Sequence, residues 1–145
     1  MKISTKGRYA IRVMLDIALN SSGKPIPLKD IAARQDITIK YLEQIISILH
    51  KSGFVKSVRG NAGGYLLTAE PKDYTLGDIL RSTEGSLAPV ECTDANKYFC
   101  PRRTDCPTYP FWLEFSEVIN NFLDSKTLQD IVDNYNGGKI PEYVI

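Results

Sequence analysis

Histidine is almost missing from this chain of 145 residues, which contains one copy of it. The sequence also lacks a phosphate-binding loop and a recognisable Ser/His/Asp set. Nucleophilic and acid–base catalysis depend on such groups, because a weak nucleophile needs a positioned base. These absences predict that the protein is not an enzyme.

Long apolar runs are absent as well. No stretch approaches the ~20 apolar residues that a membrane-spanning helix needs. The charges of Arg8, Arg12 and Asp16 interrupt the first apolar stretch, so we expect no secretory signal and a cytoplasmic protein. Three cysteines, an odd number in a reducing compartment, argue against a disulfide framework and favour metal or redox chemistry.

Net charge is also small, at +1 for the whole chain, which is not typical of a nucleic-acid-binding protein. The two parts of the chain differ, however. Residues 1–60 contain eleven Lys and Arg against four Asp and Glu, a balance of +7, and the remaining 85 residues have a balance of −6. A basic front part favours contact with nucleic acid on one face, and a merely solvated surface is the alternative.

The stretch that begins at Thr38 has the spacing of a helix. Apolar residues recur at three- and four-residue steps, namely Ile39, Leu42, Ile45, Ile46 and Leu49. Polar side chains face the other way, namely Lys40, Tyr41, Glu43, Gln44 and Ser47. Thr38 caps this helix, and Gly53 ends it because glycine tolerates a left-handed backbone.

A glycine-rich hairpin is predicted directly after this helix. Two short apolar runs, residues 54–58 and 65–67, enclose the sequence R-G-N-A-G-G, which begins at Arg59. A shorter helix after Pro27 precedes the polar-faced helix, and a tight Q-D-I-T turn joins the two. The fold class is therefore mainly α with a small β-hairpin wing, a winged helix-turn-helix. Such proteins place the second helix in the DNA major groove and the hairpin on a minor groove or the backbone.

The remaining chain divides into three predicted segments after this DNA-binding domain of residues 1–85. Residues 86–109 form a loop that contains the cysteines, residues 110–135 form a long helix and a short helix capped by Thr127, and residues 136–145 form a polar tail. The long helix has a wide apolar stripe made of Phe111, Trp112, Phe115, Val118, Ile119, Phe122 and Leu123. This stripe favours a symmetric homodimer, and packing on the same chain is the alternative.

The cysteines are Cys92, Cys100 and Cys106, with the spacing C-x7-C-x5-C. Thiolates are soft ligands that suit iron–sulfur clusters and zinc. The nearby cations Lys97, Arg102 and Arg103 favour the thiolate form. An iron–sulfur cluster, a zinc ion and three unrelated thiols all remain open on this pattern alone.

Three motifs together resemble one bacterial family. They are M-K-I-S-T-K-G-R-Y-A at the start, Y-L-E-Q in the polar-faced helix and V-R-G-N-A-G-G-Y-L-L in the hairpin. They are similar to the IscR/NsrR/CymR-type family of winged-helix transcription regulators over roughly residues 1–133. The resemblance implies a dimeric regulator of promoter DNA that senses iron–sulfur, redox or nitric oxide status through a cluster. It implies that the three cysteines hold this cluster, with 2Fe–2S favoured over 4Fe–4S.

The chain departs from this family pattern at the fourth cluster ligand. The IscR-like branch has a histidine three residues after the last cysteine, where this chain has Tyr109, and its first cysteine gap is two residues shorter. In the NsrR-like branch a carboxylate at position 8 completes the set, where this chain has Arg8. The only histidine, His50, lies at the end of the polar-faced helix. The fourth ligand therefore remains open among Asp94, Asp105, Tyr109, a bound thiol and water. A clusterless CymR-like regulator of sulfur and cysteine metabolism remains an alternative.

The predicted DNA contacts follow from side-chain chemistry. Gln44 can pair with adenine, and Glu43 can accept from a cytosine amino group unless an arginine engages it. Phosphate contacts are predicted for Thr38, Lys40 and Tyr41. Arg59 is predicted to enter a minor groove, with Ser57 and Gly60 allowing close backbone approach. The operator should be an inverted repeat with half-sites ~34 Å apart. RNA binding and a purely scaffolding role are the alternatives.

Overall fold

A computed structural model gives the fold of residues 1–96 and 99–138. Within them lie six α-helices and one two-stranded antiparallel sheet. The elements are α1 (Thr5–Asn20), α2 (Leu28–Gln35), α3 (Ile39–Lys51), β1 (Val55–Val58), β2 (Gly64–Leu67), α4 (Leu76–Glu84), α5 (Tyr109–Ser125) and α6 (Leu128–Asn136). Helices α2 and α3 form the predicted helix-turn-helix and the two strands form the wing, so the predicted fold class is confirmed. No helix in this described part is long and apolar enough to cross a membrane.

Hydroxyl side chains begin four of these helices. Each accepts a hydrogen bond from the N–H group three residues later, which satisfies one of the free donors of the first turn. The capping residues are Ser4, Thr38, Thr75 and Thr127. At Thr127 the Asp130 carboxylate also accepts the Thr127 N–H at 2.8 Å, which completes a capping box. At Thr75 the hydroxyl accepts the Asp78 N–H at 3.0 Å, and the Asp78 carboxylate lies 3.6 Å from the Arg81 guanidinium.

A buried carboxylate of α1 binds two side chains of α2. Asp16 of α1 is 3% exposed, and it accepts hydrogen bonds from the Arg34 guanidinium at 2.7 to 3.2 Å and from the Gln35 amide at 2.8 Å. A buried carboxylate needs such partners, because an unpaired charge inside the protein is costly. Asp36 then ends α2 with a left-handed backbone, φ 53°, and the chain turns into α3.

One core contains side chains from five of the helices and from β1. Its largest fully buried side chains are those of Val13, Met14, Ile17, Ile31, Leu42, Ile45, Leu49, Val55, Ile79 and Leu128. The predicted stripe of α3 is confirmed except at Ile39, which is 50% exposed. Ile39 is the first residue of α3, and helical side chains lean towards the N-terminus of their helix, so this one extends past the end of the core.

The wing is attached to the helical core through its second strand. The predicted hairpin is confirmed, with Val55 paired to Leu67 and Val58 paired to Gly64. Ile26 and Tyr65 exchange two backbone hydrogen bonds of 2.9 Å. A Cβ atom on Gly64 would collide with the Ile26 carbonyl, so glycine is required there by the close approach of the two backbones.

Helix α5 differs from all the others because none of its residues is buried by the described part of the chain. It starts at Tyr109, one residue before the predicted boundary. The Arg81 guanidinium of α4 binds it, donating to the Asp124 carboxylate at 2.7 and 3.0 Å and to the Asn120 side-chain oxygen at 2.8 Å. We call these three residues the α4–α5 clamp.

Helix α6 returns the chain to the core. The Leu76 N–H donates to the Lys126 carbonyl at 2.8 Å, and the Leu128 N–H donates to the Tyr74 carbonyl at 2.9 Å. Leu128 itself is 0% exposed within the core. The two ends of α5 are therefore connected differently, since its start follows the cysteine segment and its end is hydrogen-bonded to α4 and leads into α6.

The division of the chain into domains stays a prediction.

Replacing Leu128 by alanine tests whether α6 belongs to the same core. We expect Leu128→Ala to lower the free energy of unfolding by about 2–5 kcal/mol, because it leaves a cavity among α1, α6 and Tyr74. Urea unfolding at one fixed protein concentration measures the change. The matched control is Val132→Ala on the same helix, which is only half-buried and should lose less. Equal losses in the two variants would contradict this packing.

Candidate functional site

The polar face of α3 points away from the core. The side chains of Lys40, Glu43 and Gln44 are exposed there, as predicted for a DNA-reading surface. The Thr38 hydroxyl accepts the Tyr41 N–H at 3.3 Å as the helix cap. Because a hydroxyl both accepts and donates, this cap leaves the Thr38 proton available to a phosphate oxygen.

Tyr41 is fixed more firmly than its neighbours on this face. Its ring is half-buried and lies edge-on to Tyr9 of α1, with ring centroids 5.9 Å apart. The Arg12 guanidinium lies over the other ring, 4.7 Å from the Tyr9 centroid. Tyr41 therefore connects the start of α3 to the first helix, a contact that the sequence pattern alone did not predict.

The tip of the wing exposes Arg59 and Gly60. Gly60 has φ 114° with open space around it, so its backbone conformation, and not crowding, requires glycine. A Cβ atom on Gly63 would collide with the Val58 carbonyl, so a second glycine keeps the turn tight. No salt bridge engages Glu43 or Arg59 within residues 1–96 and 99–138. Both charges therefore remain available to a ligand.

An open groove of about 270 Å³ separates α3 from the wing. Its lining residues are Glu43, Ile46, Ser47, His50, Ser57 and Tyr65. The only histidine of the chain thus lies on the side of the molecule that carries the wing.

The three cysteines lie in turns between α4 and α5. All are half-buried free thiols. Cys92 lies in a short 3₁₀ turn, Glu91–Thr93, and Cys100 begins a series of turns that leads directly into α5. In this series the Arg103 N–H donates to the Cys100 carbonyl at 3.0 Å, and the Tyr109 N–H donates to the Cys106 carbonyl at 3.2 Å. Lys97, one of the predicted thiolate-favouring cations, lies outside the described residues.

Cys106 is the cysteine nearest to the start of α5. Its sulfur lies 3.3 Å from the Thr108 hydroxyl oxygen. This hydroxyl contact, followed by the backbone N–H groups of Thr108 and Tyr109 and the charge of Arg102, lowers the pKa of the Cys106 thiol. The thiolate is the form that binds metals, so these contacts prepare Cys106 as a ligand. The sequence analysis missed Thr108, although a threonine just before a helix is an ordinary capping signal.

No group of three or more His, Cys, Asp or Glu side chains lies close enough to hold a metal ion, as far as residues 1–96 and 99–138 are concerned. The donor chemistry still fits an iron–sulfur centre, because three free thiols are available on one segment and the pKa of one of them, Cys106, is lowered. Among the predicted fourth ligands, Asp105 is exposed, whereas the Tyr109 hydroxyl is buried without a hydrogen-bond partner in the described part of the chain.

The Thr108 contact predicts how the reactivity of Cys106 depends on pH. In a protein with Cys92→Ser and Cys100→Ser, alkylation of Cys106 by iodoacetamide should follow its thiolate fraction. A lowered pKa keeps the thiolate down to lower pH, so Thr108→Val should move the midpoint of the rate profile to higher pH. The control Thr108→Ser retains the hydroxyl and should keep the wild-type midpoint. An unchanged profile in Thr108→Val would show that this hydroxyl does not stabilise the thiolate.

Two transcriptional regulators resemble this chain over most of its length. It is 41% identical over 134 residues to the HTH-type transcriptional regulator IscR of Klebsiella pneumoniae (strain 342), a match that covers 92% of this chain and 81% of that protein. The IscR of Escherichia coli (strain K12 / DH10B) is 40% identical over the same length and is covered to 82%. Both are named as regulators of transcription.

Two solved structures share the fold at similar identity. T. potens IscR has a TM-score of 0.76 at 39% identity and covers 98% of this chain and 93% of its own. CymR, the global cysteine regulator of B. subtilis, has a TM-score of 0.73 at 39% identity and covers 90% and 95%.

The sequence pattern of the Rrf2 family matches residues 3–134 of this chain. This family is described as an iron-dependent transcriptional regulator. This match includes the helix-turn-helix, the wing, the three cysteines and α5. Together with the named relatives it confirms the predicted resemblance, and it assigns a regulatory rather than an enzymatic role. The chain belongs to the Rrf2 family and is a DNA-binding transcriptional regulator.

Proposed function

We propose that the protein is a homodimeric regulator that reads an inverted repeat in promoter DNA and senses iron–sulfur, redox or nitric oxide status through a bound cluster. The observation that carries this proposal is the set of three free, half-buried cysteines, Cys92, Cys100 and Cys106, within 15 residues of each other. They precede α5, the one helix of the described residues that has no buried residue, in a family described as iron-dependent.

DNA is read by α3 and the wing in this proposal. Glu43 and Gln44 contact base edges in the major groove, and Arg59 with Gly60 enters the adjacent minor groove. The cap position of Thr38 and the exposed ammonium group of Lys40 suit phosphate contacts. The hydroxyl end of Tyr41 joins them while its ring packs on α1. The absence of a salt bridge to Glu43 or Arg59 in the described residues supports these roles.

The cluster is held by the thiolates of Cys92, Cys100 and Cys106, and we favour 2Fe–2S over 4Fe–4S. When bound, it supplies an iron centre whose occupancy responds to oxidants, nitric oxide and iron supply. The chain contributes the thiolate ligands. The Thr108 hydroxyl favours the thiolate form of one of them, because it lowers the pKa of the Cys106 thiol. Binding of the cluster releases the protons of the cysteine thiols and orders the turns before α5.

The dimer forms through α5. Its exposed apolar side chains include Phe111, Phe115, Val118 and Phe122, and Phe111 lies parallel to Phe115 with ring centroids 6.2 Å apart. Monomeric proteins rarely expose such a contiguous apolar face, and a second copy covers it most simply by two-fold symmetry. The α4–α5 clamp then transmits the position of α5 to α4, which packs on α1 beside the reading helix.

A clusterless regulator of cysteine metabolism is the second candidate. Two observations favour it: the similarity to CymR of B. subtilis, described as a global cysteine regulator, and the absence of a preformed metal group in the described residues. A regulator with a zinc ion bound by the same three cysteines is a third candidate.

The visible spectrum of protein purified without air separates these candidates. We expect a coloured protein with iron and acid-labile sulfide in equal amounts and little zinc. Cys92→Ser, Cys100→Ser and Cys106→Ser should each lose most of the colour, because each removes one of three thiolate ligands. Thr93→Ser, a change beside Cys92 that keeps the hydroxyl, is the matched control and should remain coloured. Colourless wild-type protein without metal would leave the clusterless candidate.

Two substitutions distinguish base reading from general attraction to DNA. Glu43→Ala should reduce the preference for one base pair by about 1–3 kcal/mol, because it removes a base-edge contact. Arg59→Ala should weaken binding, and it should reduce the slope of the logarithm of affinity against the logarithm of salt concentration by about 1. Lys126→Ala removes an exposed cation at the end of α5 and serves as the control. Fluorescence anisotropy on operator variants measures all three, and wild-type behaviour of both Glu43→Ala and Arg59→Ala would contradict the proposed reading surface.

The exposure of Ile39 adds one expected contact. An apolar side chain at the start of a reading helix can pack on the methyl group of thymine in the major groove. Uracil in place of one operator thymine should then weaken wild-type binding about fourfold, as the loss of one buried methyl of about 0.8 kcal/mol does. The same DNA change should not affect Ile39→Ala. If no thymine-to-uracil change weakens wild-type binding while leaving Ile39→Ala unaffected, Ile39 does not contact thymine in the complex.

A further inference from the structure

Arg81 of α4 carries the directional contacts between α4 and α5. Its guanidinium donates to both oxygens of the Asp124 carboxylate, at 2.7 and 3.0 Å, and to the Asn120 side-chain oxygen at 2.8 Å. A paired arginine–carboxylate contact of this kind fixes direction as well as distance. Within residues 1–96 and 99–138, every hydrogen bond and ion pair between α4 and α5 comes from Arg81. The orientation of α5 on α4 therefore depends on one side chain.

Gly77 allows α4 to approach this contact closely. A Cβ atom at Gly77 would collide with the Asp124 carboxylate and with the Arg81 guanidinium. Gly77 lies within α4 and has no left-handed backbone, so the close approach of α5 is the reason for a glycine here. A methyl group at this position would displace the carboxylate from the guanidinium without removing either charge.

Helix α5 presents the clamp and the apolar stripe on opposite faces. Two residues along an α-helix correspond to a rotation of about 200°. Asn120 therefore lies almost opposite Val118, and Asp124 lies almost opposite Phe122. Val118 and Phe122 are exposed, whereas Asn120 is half-buried. A second copy that covers the stripe thus leaves the clamp of each chain intact.

The other side of the clamp belongs to the part of the chain that reads DNA. Ile79 of α4 is 0% exposed in the core that also contains Leu42 and Ile45 of α3. Close-packed interiors have low compressibility, so α4 and α3 move together. The clamp therefore fixes the position of α3 relative to α5. In a dimer formed through α5 this contact occurs twice, and it sets the distance and the angle between the two reading helices.

We propose that Arg81 is a specificity-determining residue of the regulator, through which the dimer selects operators by the spacing of their half-sites. This inference rests on the proposed function, because it requires a dimer that reads an inverted repeat. One additional base pair moves two half-sites apart by about 3.4 Å and rotates one against the other by about 34°. A clamped dimer fits one spacing and must deform to fit the others. A dimer without the clamp adapts to several spacings, and it binds the best one less tightly because its two reading helices must first be ordered.

Fluorescence anisotropy on operators of different spacing tests this role. The half-sites are first selected from random duplex DNA by the wild-type protein, and are then joined at the best spacing and with one base pair more or less. Wild-type protein should bind the best spacing about 100-fold more tightly than its neighbours, because a mismatched dimer engages DNA through one reading helix only. Arg81→Ala, Asp124→Asn and Gly77→Ala should each reduce this ratio to about 10-fold or less. Binding to DNA with a single half-site should be the same in all of them.

The three variants differ in charge, which separates the clamp from general attraction to DNA. Arg81→Ala removes a cation, Asp124→Asn removes an anion, and Gly77→Ala changes no charge. An effect of charge alone would move DNA affinity in opposite directions in the first two. The matched control is Asp78→Asn, since Asp78 lies 3.6 Å from the same guanidinium but belongs to α4 itself, and it should keep the wild-type ratio. Sedimentation equilibrium should find every variant dimeric, because the stripe lies on the other face of α5.

Two results would overturn the proposal. In the first, Arg81→Ala, Asp124→Asn and Gly77→Ala all keep the wild-type ratio between spacings. In the second, they lose affinity for the single half-site by the same factor as for the operator, which indicates damage to the reading surface itself. In either event a wild-type dimer that prefers one spacing leaves the proposed function intact. A wild-type protein that binds all spacings equally would contradict both.

Discussion

Helix α5 imposes the constraint on which the rest of the molecule depends. It is 17 residues long, carries a wide apolar stripe and buries none of its residues against the described part of its own chain. Apolar surface of this extent is stable in water only when something covers it. The chain holds α5 at its end through Arg81 and the return into α6, and Phe111, Phe115, Val118 and Phe122 of the stripe remain exposed. The proposed dimer follows from this geometry.

The same helix connects the proposed sensing and reading functions. Its first turn grows directly out of the cysteine segment, where Thr108 and Tyr109 donate towards Cys106. Its last turns are bound to α4 by the clamp of Arg81, Asn120 and Asp124. A change in the order of the cysteine turns therefore reaches α4 through one rigid element. In the proposed dimer the two reading helices can have two different spacings. Cluster binding can shift the equilibrium between these two states only by the difference in its affinity for them.

Local signals made much of the fold predictable. Thr38 and Thr127 cap the helices they were expected to cap, and Gly53 ends α3 with φ 76°. These features depend on a few adjacent residues. Contacts between distant residues were not predictable, because no spacing encodes them. Examples are the clamp between α4 and α5 and the edge-on contact of Tyr41 with Tyr9. The three cysteines could be identified as ligand candidates from their residue type, but their arrangement could not.

The association state of the protein tests the central claim most directly. Val118 is 60% exposed in the middle of the apolar stripe of α5, far from the core. Sedimentation equilibrium should find the wild type as a dimer and Val118→Glu as a monomer with the same helix content, because a charge there opposes burial. Glu117→Gln, a change of an exposed neighbour, should remain a dimer. A monomeric wild type, or a Val118→Glu variant as strongly dimeric as the wild type, would contradict the account.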